Sequence, residues 1–129
     1  MKKVQPMDVK ANGHYSPGVI AGGMLYISGQ LPMDPVTGQV VQGGADMQAA
    51  RSLRNLDKVL IAAGLSRDNV ASVHVYISDI ADWDVVNAAC AEFFGGHKPA
   101  RVIVPAGKLH HGALVEIEAV AECRGLNID

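Results

Sequence analysis

Residues 113–122 read Ala-Leu-Val-Glu-Ile-Glu-Ala-Val-Ala-Glu. Successive side chains of an extended chain point to opposite faces, so Val115, Ile117, Ala119 and Ala121 form one apolar row. Leu114, Glu116, Glu118 and Val120 form the other. The first row belongs beneath helices. The second mixes apolar groups with two carboxylates, which is more apolar than a plain solvent face and fits a surface covered by another subunit.

Working outward, Val70–Ser78 alternates in the same way, with Val73, Val75 and Ile77 opposite Ser72, His74 and Tyr76; it reads as a half-buried strand. A further strand is expected over Arg101–Val104, with Arg101 and Ile103 on one side and Val102 and Val104 on the other. Before and between these strands the period changes to that of a helix. Ala49, Leu53, Leu56, Leu60 and Ala63 recur every three or four residues and predict a helix over Asp46–Ala63. Arg51, Arg54 and Lys58 lie off that stripe, and Gly64-Leu65 has the form of a glycine C-cap. A second helix is predicted over Asp82–Phe94, where Trp83, Val86, Cys90 and Phe93 share a face and Gly95 ends it; Trp83 reads as core. Nearer the start, Val19–Ala21 and Met24–Ser28 flank Gly22-Gly23, the pattern of a tight hairpin. Turn residues over Pro32–Gly38 and a short strand around Gln39–Val41 are expected next. The order of strands, helix, strand, helix, strands points to an α+β sheet with both helices on one face.

A chain of 129 residues fits one domain, expected over 1–129. Hydrophobic residues are 49% and charged residues 19%, so a packed globule is expected. The mean hydropathy of +0.16 permits burial of apolar surface between subunits. A net charge of −2 gives no basic excess to hold a phosphate backbone, which argues against nucleic acid. Met1-Lys2-Lys3 is followed by no apolar run, so neither a signal peptide nor a membrane span is expected. Cys90 and Cys123 stand far apart and fit free thiols in a reducing cytoplasm.

If the last two strands pair, Arg101 and Glu116 meet on one face. A guanidinium there can grip a substrate carboxylate through two parallel hydrogen bonds, and a nearby carboxylate can orient a water and shuttle its proton. The spacing equally allows an ordinary ion pair. His110-His111 invites a metal reading, but adjacent side chains of an extended segment diverge and no third ligand stands at a telling spacing. No P-loop, G-x-G-x-x-G or G-x-S-x-G is present, so neither a nucleotide cofactor nor a serine-hydrolase elbow is expected.

The segments Tyr26-Ile27-Ser28-Gly29-Gln30-Leu31-Pro32, Asn55-Leu56 with Ala63-Gly64, Pro99-Ala100-Arg101 and Gly112–Ala119 resemble the reactive intermediate deaminase (RidA, YjgF) family, in order and over nearly the whole chain. The resemblance implies a chorismate-mutase-like α+β fold, homotrimers whose sheets line a central barrel, and clefts between subunits. It also implies hydrolysis of 2-aminoacrylate, 2-iminopropionate and related 2-imino acids to 2-keto acids and ammonia, with no cofactor. Carried over by position, Arg101 would bind the substrate carboxylate, Glu116 would position the attacking water, and Ile103 would offer backbone hydrogen bonds near the imine nitrogen. Tyr15, Ser28, Gly29 and Asn87 match positions that line the family's cleft. The chain departs from its relatives at Ile103, often cysteine; at Leu109-His110-His111, often Leu-Pro; and at Cys90, often aromatic. Two other readings compete: a ribonuclease or translation inhibitor, and a trimer that holds small acids without turnover.

Overall fold

The computed structural model describes residues 1–9 and 11–124; Lys10 and residues 125–129 of the expected domain lie outside them. Six strands and two helices follow in the order β1 (Lys2–Val4), β2 (Gly18–Ala21), β3 (Met24–Gln30), α1 (Ala45–Ala62), β4 (Val70–Ile77), α2 (Trp83–Phe94), β5 (Ala100–Pro105) and β6 (Val115–Glu122). All six strands join one mixed sheet in the order β1-β2-β3-β6-β4-β5, with β4 and β5 parallel and the other pairs antiparallel. The α+β reading stands.

Local chemistry accounts for the element ends. The β2–β3 hairpin turns on Gly22 and Gly23, whose φ values of 58° and 76° are the paired positive angles such a two-residue turn requires. α1 stops in a Schellman motif: the Leu65 amide bonds the Leu60 carbonyl at 2.9 Å and the Gly64 amide bonds Ile61 at 2.9 Å. Leu65 folds back into the core there.

The inward row of β6 is as expected: Val115, Ile117, Ala119 and Ala121 are all buried. They join Val73, Val75 and Ile77 of β4 and Leu53, Leu56, Val59 and Leu60 of α1 in one core cluster. Fully burying aliphatic side chains of this size contributes about 1.5–3 kcal/mol each, so this layer, rather than surface ion pairs, holds the fold.

Four expectations need correction. The strand expected near Gln39–Val41 is only an isolated bridge between Val40 and Met33, because turn chemistry on both sides leaves no room for a ladder. β1 was not foreseen; its run of three residues is too short for periodicity to register. On α2 the buried aromatic is Phe94, while Phe93 is only partly covered. Most consequentially, β5 and β6 do not pair: β4 lies between them.

Candidate functional site

The order β6-β4-β5 decides where the two candidate chemical groups stand. Residues paired across a sheet share a face. Arg101 pairs with Val73, and Val73 is buried beneath the helices. Glu116 pairs with Tyr76, which alternates with Val75 and Ile77 and so belongs to the opposite face. Within one protomer Arg101 and Glu116 are therefore on opposite faces of the sheet, and the expected meeting on a common face does not occur.

The seven candidate residues divide into two groups. Tyr15, Ser28, Gly29 and Glu116 line a cleft of about 820 Å³, together with Glu118 and both histidines of the 110–111 turn. Arg101, Asn87 and Ile103 lie outside that cleft, where edge strand β5 runs alongside α2. There Arg101 Nη1 donates to Asn87 Oδ1 at 2.7 Å, and its guanidinium carbon stands 5.6 Å from the centre of the Trp83 ring. Trp83 is only partly buried at the margin of the core, which corrects the reading of it as a core residue. Trp83, Asn87 and Cys90 fall at i, i+4 and i+7 of one helix face.

The cleft wall is shaped by a β-bulge. Ile27 pairs with Ala119 but Gln30 pairs with Ile117, so β3 carries one extra residue across this step. The Ser28 amide bonds the Pro17 carbonyl at 2.9 Å, and its hydroxyl donates to Ser16 O at 2.6 Å. These bonds fix the 16–17 segment against the bulge. Gly29 then brings bare backbone up to the carboxylate: a Cβ at this position would lie 2.6 Å from Glu116 Oε2.

Burial pushes the Glu116 carboxyl above the usual glutamate range. The charge of Glu118 adds to the rise, and His110 opposes it. A carboxyl with a raised pKa on a cleft wall is suited to exchanging protons with a bound water. Glu118 accepts a short hydrogen bond from the Tyr76 hydroxyl, and that bond raises the phenol's pKa. His74 Nδ1 approaches Glu118 at 4.0 Å. Glu118 shares the face of Glu116 by simple alternation, so this second carboxylate was readable from the sequence although no role was assigned to it.

On the helix side, burial raises the Cys90 thiol, while the neighbouring Arg101 works in the opposite direction. Both cysteines are buried free thiols. The 110–111 turn also differs from expectation. His111 takes a left-handed φ of 60°, and the two imidazole rings lie 3.8 Å apart between centroids, tilted by 43°. The rings meet because the segment is a tight turn rather than extended chain. Among the described residues no group of three or more His, Cys, Asp or Glu side chains is placed to hold a metal ion. Among the same residues no helix is long and apolar enough to cross a membrane.

Fold and site together define a small α+β protein that holds a half-buried carboxyl in a cleft over β3 and β6 and an arginine, bonded to Asn87, on the other face of the same sheet. Known proteins resemble this chain in sequence and in fold. The family described as Endoribonuclease L-PSP matches residues 6–123. A RutC family protein of Pyrococcus horikoshii is 44% identical over 112 residues, covering 87% of this chain and 89% of the relative. A rat protein named 2-iminobutanoate/2-iminopropanoate deaminase is 40% identical over 111 residues, covering 86% and 81%. The crystal structure of a putative endoribonuclease from Thermotoga maritima superposes with a TM-score of 0.91 at 38% identity, covering 97% of this chain and 100% of that one. The chain belongs to the RidA/YjgF family.

Proposed function

We propose that this protein hydrolyses reactive enamine and imine intermediates, of the 2-aminoacrylate and 2-iminopropionate type, to 2-keto acids and ammonia. The observation that carries this reading is the Glu116 carboxyl. It is half-buried and its pKa is raised by that burial, it faces a cleft large enough for a small acid, and a glycine backbone gives it room. Mammalian relatives about 40% identical carry the name of such a deaminase.

The chemistry asks little of the protein. An iminium carbon is already electrophilic, so holding it beside an oriented water supplies much of what the reaction needs. Glu116 in its ionised form takes a proton from the attacking water and returns it to the carbinolamine nitrogen, which leaves as ammonia while the carbinol hydroxyl gives up its proton and becomes the carbonyl. Arg101 grips the substrate carboxylate with two parallel N–H donors. Ile103 offers backbone hydrogen bonds near the imine nitrogen, and Tyr15, Ser28, Gly29 and Asn87 line the substrate's surroundings.

Because Arg101 and Glu116 occupy opposite faces of one sheet, the reading requires a second copy of the chain. The homotrimer brings Arg101, Asn87 and Ile103 of one protomer to the cleft edge of the next, where Glu116 waits. Exposed Tyr26, Val102 and Val104 supply apolar surface that such an assembly covers.

The relatives described as endoribonucleases raise a second reading, cleavage of RNA. The cleft counts Asp8, Asp34, Glu116 and Glu118 among its walls, a poor surface for a phosphate backbone. The deciding experiment measures ammonia and keto-acid release from enzymatically generated 2-iminopropionate, for the native protein and for Arg101→Ala. Acceleration by the native trimer, largely lost in a variant that still assembles, is the expected result. Equal rates for the two proteins, or none above the spontaneous rate, would overturn it.

A further inference from the structure

The sheet sets the face on which Arg101 stands, but it does not fix the direction of its side chain. Arg101 sits on an edge strand, it is exposed, and no carboxylate is among its salt-bridge partners in the described residues. A free arginine side chain of this length samples many rotamers, and ordering it carries an entropic cost. Something local has to restrict it if it is to meet a small carboxylate in one orientation.

The restriction comes from α2. Asn87 Oδ1 accepts from Nη1 at 2.7 Å, which fixes one edge of the guanidinium plane. Trp83, one helical turn earlier, presents its ring with the guanidinium carbon 5.6 Å from the ring centre, within the reach of cation–π attraction. Cys90 closes the far end of the same helix face, buried and small. Trp83 is in turn held by the partly buried packing at the start of α2, and the Asp79 side chain caps the turn before it through the Ala81 amide at 2.9 Å. The ring is thus carried by a stiff element.

We infer that Trp83 is a positioning residue for Arg101: its ring face, with the Asn87 amide oxygen, holds the guanidinium so that its free N–H donors are presented to a small α-keto or α-imino carboxylate. The inference rests on Arg101 being the carboxylate anchor, and it adds a residue that touches Arg101 rather than substrate. Trp83 is the chain's single tryptophan, and a flat aromatic ring is the property that matters. Phenylalanine should therefore replace it where leucine does not.

The test uses the full-length, 15N-labelled protein and its Trp83→Phe and Trp83→Leu variants. The first readout is the Arg101 Nε–Hε NMR signal, identified by its loss in Arg101→Lys. The second is the dissociation constant for pyruvate, measured by calorimetry. Ring-current displacement of the Arg101 signal is expected in the native protein, largely kept in Trp83→Phe and lost in Trp83→Leu. Pyruvate binding should weaken roughly fivefold in Trp83→Leu and recover in Trp83→Phe. An Arg101 signal that stays in place in Trp83→Leu overturns the inference. So does pyruvate affinity that is equal in all three proteins, or absent from the native one. Failure of the deaminase reading shows separately, as a lack of turnover by native protein whose Arg101 signal and pyruvate affinity still respond to Trp83.

Discussion

Where Gly29 passes Glu116, backbone and carboxylate are too close for any side chain to intervene. A methyl group there would sit 2.6 Å from Glu116 Oε2, inside any allowed contact. The carboxylate is the movable end of a flexible side chain, so Gly29→Ala should fold and assemble while Glu116 swings away. Displacement of a reacting group by about 1 Å costs on the order of a hundredfold in rate, and that is the loss expected in kcat/KM with an unchanged melting temperature. The Glu116 carboxyl itself makes a prediction with a definite sign. Its pKa is raised by burial first, then by the charge of Glu118, with His110 pulling the other way. Below the unfolded-state pKa both states hold the proton and burial of the group carries no charge penalty. As pH rises through the folded-state pKa the buried group must ionise, and that stability is lost. Glu116→Gln removes the penalty. The variant should therefore melt higher than the native protein at about pH 7 and no higher at about pH 4, while turning over far more slowly. A melting-temperature difference independent of pH would contradict the cause assigned to the shift.

At the scale of elements, α1 does more than cover the sheet. Asn55, buried on its inner face, donates from Nδ2 to the carbonyls of Leu31 at 3.1 Å and Met33 at 3.0 Å. Those two bonds tie the segment leaving β3 to the helix and so hold one wall of the cleft. Asn55→Ala leaves two acceptors short of a donor and should destabilise the protein by about 1–3 kcal/mol in urea titrations. Asn55→Asp is nearly isosteric yet replaces the donor with a third acceptor. It should cost more than alanine near neutral pH, and the two variants exchanging rank would remove Asn55 from this role. Such a tie joins residues more than twenty positions apart, and the sequence shows how far that kind of information can be read. The alternation in Val70–Ser78 and 113–122 and the three-to-four spacing of Ala49–Ala63 report which face of each element is buried, because burial is a property each element expresses alone. Which strand lies beside which is not written in any one of them. The pairing of β5 with β4 rather than β6 depends on the parallel return that α2 provides between them. The same limit hid the convergence of His110 and His111, since the left-handed φ of His111 that brings the rings together leaves no periodic trace.

For the whole molecule, the opposite-face placement of Arg101 and Glu116 separates a cleft made by one chain from a cleft made by two. If each cleft takes Arg101 from one protomer and Glu116 from its neighbour, a chain carrying Arg101→Ala and a chain carrying Glu116→Gln are each inactive alone but complementary together. In the homotrimer proposed above, any mixed assembly has, going round the ring, one junction where an intact Arg101 meets an intact Glu116. Random reassembly at equal amounts makes about three quarters of trimers mixed, so about a quarter of native activity should return. The two proteins are dissociated and reassembled together, or coexpressed, so that mixed assemblies form. Recovery that appears only on co-assembly, and that follows the fraction of mixed trimers as the ratio is varied, assigns the two groups to different chains. No recovery from demonstrably mixed trimers would mean that a single chain supplies both groups, and then Arg101 would have to leave Asn87 and cross the edge of its own sheet to reach Glu116.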